Sequence, residues 1–234
     1  MASTAFDTHL AAPHGEHHHP SLQHQFDSLE QQKESSTLGM WMFLVTEIMF
    51  FGALFTAYVI YRNLFHGVFA TASHHLDVTM GAINTAVLIG SSLTMALSIR
   101  AAQLNRRKAI VLFLLLTIAL GGTFLVIKGF EYAHKFRDHL VPGPHFAPED
   151  PAIQAVADKA QVFFSLYFIM TGIHALHMII GIGLLLWLAI AAWRGKFDST
   201  YYTPLECTGL YWHFVDIVWI FLFPLLYLIG AHAR

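Results

Sequence analysis

Apolar residues fall into five long blocks along this chain, and polar residues are confined to the gaps between them and to a few positions inside. The blocks cover about residues 38–61, 78–99, 109–132, 162–193 and 210–230. A helix rises 1.5 Å per residue and needs about 20 mostly apolar residues to cross the hydrocarbon core of a bilayer. Each block meets that length, and the fourth is long enough to tilt or to extend into the headgroups. The pattern predicts an all-α, polytopic membrane protein, with a five-transmembrane-helix bundle over residues 38–232 and a polar His-rich tail over residues 1–37. The segment 134–159 holds four of the eight prolines and is predicted to be an ordered surface loop with one helical turn. No internal repeat is visible, which argues against an inverted-repeat transporter.

Composition supports a bilayer environment. Charged residues make up 12% of the 234 and hydrophobic ones 56%, whereas a soluble domain carries about 25% charged residues. The formal net charge of −2 leaves no basic footprint, so nucleic acid is excluded as a partner. A single cysteine, Cys207, rules out an intramolecular disulfide and Cys-based zinc or iron–sulfur patterns. No basic n-region with a cleavage site precedes the first apolar block, so no signal peptide is expected. Six histidines lie in the first 37 residues, and the run "EHHHP" is a weak metal-binding candidate, though such a cluster in a tail is more often simply solvated.

Basic residues set the expected orientation. Arg100, Arg106, Arg107 and Lys108 follow the second block and Arg194 and Lys196 follow the fourth, while the short connection after the first has only Arg62. The second and fourth loops are therefore expected inside, with the N-terminus inside and the C-terminus outside.

Ionisable groups within the blocks are costly, and so are candidates for function. Glu47 lies nine positions into the first block, roughly 13 Å deep, with Phe43, Phe50 and Phe51 on its helical face. It is expected to be protonated or hydrogen-bonded to another helix, with His174 or His177 as partner. That makes it either a proton-handling group or a neutral carboxyl joining two helices. His174 and His177 lie three apart, on nearly the same face, near a strip of Gly172, Ala175, Gly181 and Gly183. Two histidines can serve a metal or haem, but a bis-His haem needs ligands from opposite sides of the iron, which one face cannot supply. A two-haem module needs four deep histidines, and this chain has three. Interhelical hydrogen bonding is the better reading. His213 and Asp216, again three apart, are expected to pair. Tyr211, Trp212 and Trp219 suggest an interfacial belt, Pro224 a kink, and Lys128 with Glu131 a pair near the outer surface.

Taken together, the motifs resemble subunit III of the haem-copper respiratory oxidases. "TEIMFFGALFTAY" is similar to the family helix that carries a buried carboxyl. "INTAVLIGSSLTMALS" and "GFEYAH" are similar to the next helix and to the end of the one after it. "TGIHALHMIIG" and "YWHFVDIVWIFLFPLLYL" resemble the last two. The resemblance covers about residues 37–231 and implies an accessory subunit of a proton-pumping terminal oxidase that reduces oxygen to water. It implies packing on catalytic subunit I, with subunit II and small subunits nearby, and support for proton uptake or oxygen access. Haem and copper would then belong to the partner subunits, with no cofactor, metal or catalytic residue in this chain and with bound phospholipid as a possible ligand. By motif position, Glu47, Glu131, His174, His177, His213 and Asp216 are carried over as buried polar or coupling residues. The implied location is the bacterial cytoplasmic membrane.

The family's longer form has two further helices, set apart by a lipid-filled cleft. Here the His-rich tail stands in their place, so the resemblance is to the short five-helix form. That form serves cytochrome c oxidases, quinol oxidases and a relative linked to nitric oxide reductase. Glu at position 47 leans toward the first. A self-contained haem module and a secondary transporter are the readings from other classes.

Overall fold

The computed structural model describes residues 22–229 apart from 145 and 149. Every regular element among them is helical: α1 (Leu29–Leu64), α2 (His66–Ser73), α3 (Val78–Gln103), α4 (Arg107–Arg137), α5 (Pro151–Gln154), α6 (Ala157–Trp193) and α7 (Thr203–Tyr227). The five long ones are the helices apolar and long enough to span a membrane. "EHHHP" lies outside the described residues.

Boundaries differ from expectation most at the first helix, which starts at Leu29 rather than Leu38, and at the last, which starts at Thr203 rather than Leu210. The polar residues up to 37 are therefore not all tail. Ser28 caps the helix by accepting from the Gln31 N–H at 3.2 Å, while Gln31 Oε1 accepts from the Asp27 N–H at 2.8 Å. This exchange is a variant of the capping box. A Ser followed three positions later by Gln was the available signal, and polar composition masked it. The short α2 was not anticipated. The one turn expected in the long connection is α5, entered through Asp150 as cap and Pro151 at its first position.

Four helices close a ring in which α3 packs on α4, α4 on α6, α6 on α7, and α7 back on α3. Helix α1 lies outside the ring, against α6 and α7. Burial follows this arrangement: half of the most apolar stretch of α7 is buried, against 17% for α1. Close approach of α4 and α6 to α7 around Trp212 depends on two glycines. A Cβ at Gly121 of α4 or at Gly181 of α6 would come within 2.8 Å of the Trp212 ring of α7. The absent side chains make the slot that this indole fills. Gly181 belongs to the strip expected to admit a helix; Gly183 faces open space.

At one end of the bundle, Arg107 Nε donates to the Ala192 carbonyl at 3.1 Å. This contact ties the start of α4 to the end of α6, so the two basic loops that adjoin them share one end of the bundle.

Candidate functional site

Glu47 lies at the seam where α1 meets α6. Its Oε2 is 3.1 Å from Nε2 of His177, with side-chain exposures of 18% for the glutamate and 14% for the histidine. The other ring nitrogen, Nδ1, is 2.9 Å from the Ile173 carbonyl. A carbonyl only accepts, so Nδ1 carries a proton. If the ring is neutral, Nε2 is a lone pair and Glu47 must be the donor, as a carboxylic acid. If the ring is cationic, Nε2–H donates to a carboxylate. Both arrangements share one proton and have no net charge, which is how the pair can persist at this depth. Phe51 of α1 stands edge-on to the imidazole at 5.4 Å, and Tyr211 of α7 donates to the His177 carbonyl at 2.9 Å. Of the three phenylalanines expected beside Glu47, Phe51 is buried while Phe43 and Phe50 face outward.

Further contacts hold α1 against α7. Phe51 packs on Phe214, Lys33 pairs with Glu206 at 3.0 Å, and the Tyr58 hydroxyl donates to the Leu225 carbonyl at 2.5 Å. That carbonyl is among the last four of α7 and has no partner within its own helix.

A second polar group sits within the ring. Lys128 Nζ is 2.9 Å from Glu131 Oε2, as the spacing suggested, and both residues are 4% exposed. The lysine also donates to the hydroxyls of Tyr167 at 3.2 Å and Tyr227 at 2.8 Å. Those hydroxyls in turn donate to Glu131 Oε1, at 2.8 and 2.5 Å. The charged pair thus joins α4, α6 and α7 with its hydrogen-bonding capacity largely met, the condition under which a buried ion pair is tolerable. Sequence reasoning missed Tyr58, Tyr167 and Tyr227. Their signal was a hydroxyl inside an apolar block, which needs a partner.

The remaining candidates do not pair as spacing suggested. Three residues along a helix amount to an offset of about 60°, enough to send two side chains to different neighbours. His174 turns inward, 1% exposed, against Phe124 and Trp219, and neither ring nitrogen has a hydrogen-bond partner among the described residues. His177 turns toward α1 instead. Likewise His213 does not pair with Asp216. Its Nδ1 is 2.7 Å from the Ser92 hydroxyl of α3, and both Asp216 oxygens are buried without a partner among the described residues. The aromatic belt expected in α7 is core: Trp212 and Trp219 are fully buried and donate to Ser91 Oγ at 3.0 Å and Thr85 Oγ1 at 3.1 Å. Among the described residues, no three His, Cys, Asp or Glu side chains converge where a metal could be held.

A helical ring with a peripheral fifth helix, all of them of spanning length and joined by neutralised polar pairs, defines a multi-pass integral membrane protein. A family model described as cytochrome c oxidase subunit III matches residues 150–231. The cytochrome c oxidase subunit 3 of Synechocystis sp. is 31% identical over 92% of this chain and 79% of its own length. That of Corynebacterium diphtheriae is 31% identical over 82% and 87%. A Staphylococcus haemolyticus protein named "Probable quinol oxidase subunit 3" is 30% identical over 87% and 94%. The chain belongs to the cytochrome c oxidase subunit III family.

Proposed function

We propose that this chain is the accessory third subunit of a proton-pumping terminal oxidase in the bacterial cytoplasmic membrane. It packs on and stabilises the catalytic subunit I, with subunit II and small subunits in the same complex. The redox chemistry, with its haem and copper, belongs to those partners. The similarity to oxidase third subunits over most of this chain carries the reading. The N-terminus, including the segment up to residue 37, is assigned to the cytoplasmic side and the C-terminus to the opposite side. The shared end of the two basic loops supports that orientation.

Within this role Glu47 and His177 fasten the peripheral α1 to the ring, and the proton they share is available to a pathway in the complex. Glu131, His174, His213 and Asp216 are structural or coupling groups rather than redox ligands. Bound phospholipid fills the faces that partner subunits leave open.

A quinol oxidase is the second reading, favoured by the Staphylococcus relative and its name. One experiment tests both. The tagged chain is recovered from its native membranes in mild detergent, and the eluate is measured for a reduced-minus-oxidised spectrum and for oxygen uptake with cytochrome c and with quinol. Haem bands with oxygen uptake are expected, and the preferred donor assigns the branch. A colourless single-chain eluate, in a detergent shown to preserve oxidase complexes, refutes the proposal.

A further inference from the structure

The two connections at the end of the bundle away from the basic loops meet at one side chain. His75 follows α2, and its Nε2 lies 3.1 Å from Oδ2 of Asp150, the residue that opens α5. The other carboxylate oxygen, Oδ1, accepts the Ala152 N–H at 2.8 Å and so caps that helix. Helix α2 packs on α5 and on α6, with Phe69 edge-on to Phe163 at 5.3 Å and Ile153 of α5 buried. Together α2, His75 and α5 make a cap on this end.

Beneath the cap lies a buried cation. Lys135 is 6% exposed and donates from Nζ to the His75 carbonyl. One turn back along α4 is Glu131, the partner of Lys128. The charged groups around His75 are thus Lys135 from α4, Asp150 from the start of α5 and Asp77 in its own connection; His74 beside it is exposed. Lys135 meets the backbone, and Asp77 is engaged by the Thr79 and Met80 N–H groups at 2.8 and 3.0 Å. The imidazole itself meets Asp150.

A carboxylate only accepts, so Nε2 carries a proton in either state of the ring. The neutral ring gives an ordinary hydrogen bond to the carboxylate, and the cation adds its charge to that bond. Histidine gains this charge between about pH 8 and 5. Asp150 stays ionised over that range, because the Ala152 N–H, and further His75, hold its carboxyl below the ordinary 3.8. The pair therefore tightens as pH falls through neutrality and is lost only when Asp150 takes up a proton.

We propose that His75 is a pH-sensing latch, whose bond to Asp150 holds the cap over Lys135 more firmly as protons accumulate on that side of the membrane. The assignment rests on the orientation proposed above, which turns this end toward the side that receives pumped protons. It adds a response of the subunit to the gradient that its complex builds.

The test follows amide exchange at α2 and α5 in the detergent-solubilised complex between pH 8 and 5, for wild type, His75→Gln and Asp150→Asn. Gln keeps an N–H for the carboxylate and Asn keeps a cap for α5, but neither variant forms a charged pair. Intrinsic exchange cancels in the ratio of variant to wild type at each pH. That ratio is expected to rise about two- to fivefold on going from pH 8 to 5, at both helices and in both variants. In parallel, a membrane-impermeant acylating reagent is applied to wild type and His75→Gln at pH 8 and 6.5. Lys135 reacts only from the open cap, and Lys159, exposed at the start of α6, serves as reference. Labelling of Lys135 relative to Lys159, variant over wild type, is expected to rise as the pH falls.

A ratio that stays flat with pH overturns the latch, as does a change confined to α5 with α2 and Lys135 unmoved. The same reagent applied to sealed spheroplasts is expected to reach Lys159 from outside. Labelling of Lys159 only from the inner side, with the pH response intact in detergent, instead overturns the orientation and leaves the latch standing.

Discussion

Replacing Glu47 by Leu removes the only partner of His177 Nε2 among the described residues. The ring is 14% exposed and the seam faces lipid, so no water takes the lost place. Leaving a buried polar nitrogen unpaired costs about 1–3 kcal/mol, or roughly 5- to 150-fold in the equilibrium that docks α1 on the ring. Glu47→Gln behaves differently. Its amide can donate to Nε2 while Nδ1 keeps the proton it gives to the Ile173 carbonyl, so the expected cost is within about 0.5 kcal/mol. Insertion does not confound the comparison. Losing an acid at this depth favours insertion by about 3 kcal/mol, so the Leu variant reaches the membrane at least as well as wild type. The assay is pulsed EPR between spin labels at Ile48 of α1 and Ile179 of α6 in a Cys207→Ser background, with recovery of the oxidase complex measured alongside. Wild type and Gln should give one narrow distance and equal recovery. Leu should give a second, longer distance and reduced recovery. If all three variants match in both measurements, the pair does not secure α1, and the carboxyl has no role in assembly.

Three further outcomes follow from the geometry. Glu131→Gln alone strands the Lys128 charge in the core and is expected to cost about 3–5 kcal/mol. Combining it with Lys128→Met removes the charge and keeps an acceptor for Tyr167 and Tyr227, so detergent unfolding of the double variant should recover most of that loss; strictly additive costs would refute the pairing. Gly181→Leu drives a side chain into Trp212 and is expected to cost about 1–3 kcal/mol, whereas Gly183→Ala points into open space and should shift the melting temperature little. At the end of the bundle that holds α5, the Asp150 carboxyl is held below its ordinary value of 3.8 by the Ala152 N–H it accepts, and further by His75 at 3.1 Å. With the folded value depressed, its contribution is present above the ordinary value and is lost as pH falls through the lower folded one. Amide exchange at α5 should therefore quicken on acidification below about pH 4, and Asp150→Asn should abolish that dependence; identical acid profiles would refute the cap.

The five blocks, the long connection with its single turn and the Lys128–Glu131 pair were legible in the sequence because each depends on local rules. Apolar length decides spanning, proline decides where a helix starts, and an i,i+3 pair on one helix needs no other element. Glu47 stood out for the same reason, as an acid in an apolar block. The chain alone left open which histidine would meet it. The 60° between His174 and His177 is invisible in a list of spacings and becomes decisive only when α1 takes its place outside the ring. The same offset separates His213 from Asp216. Whether Trp212 and Trp219 form a belt or a core depended on Gly121 and Gly181, which lie on two other helices. In a bilayer, lipid is as apolar as the core, so hydrophobicity alone cannot say which face of a helix turns inward. Only the packing of the five helices against one another decided that.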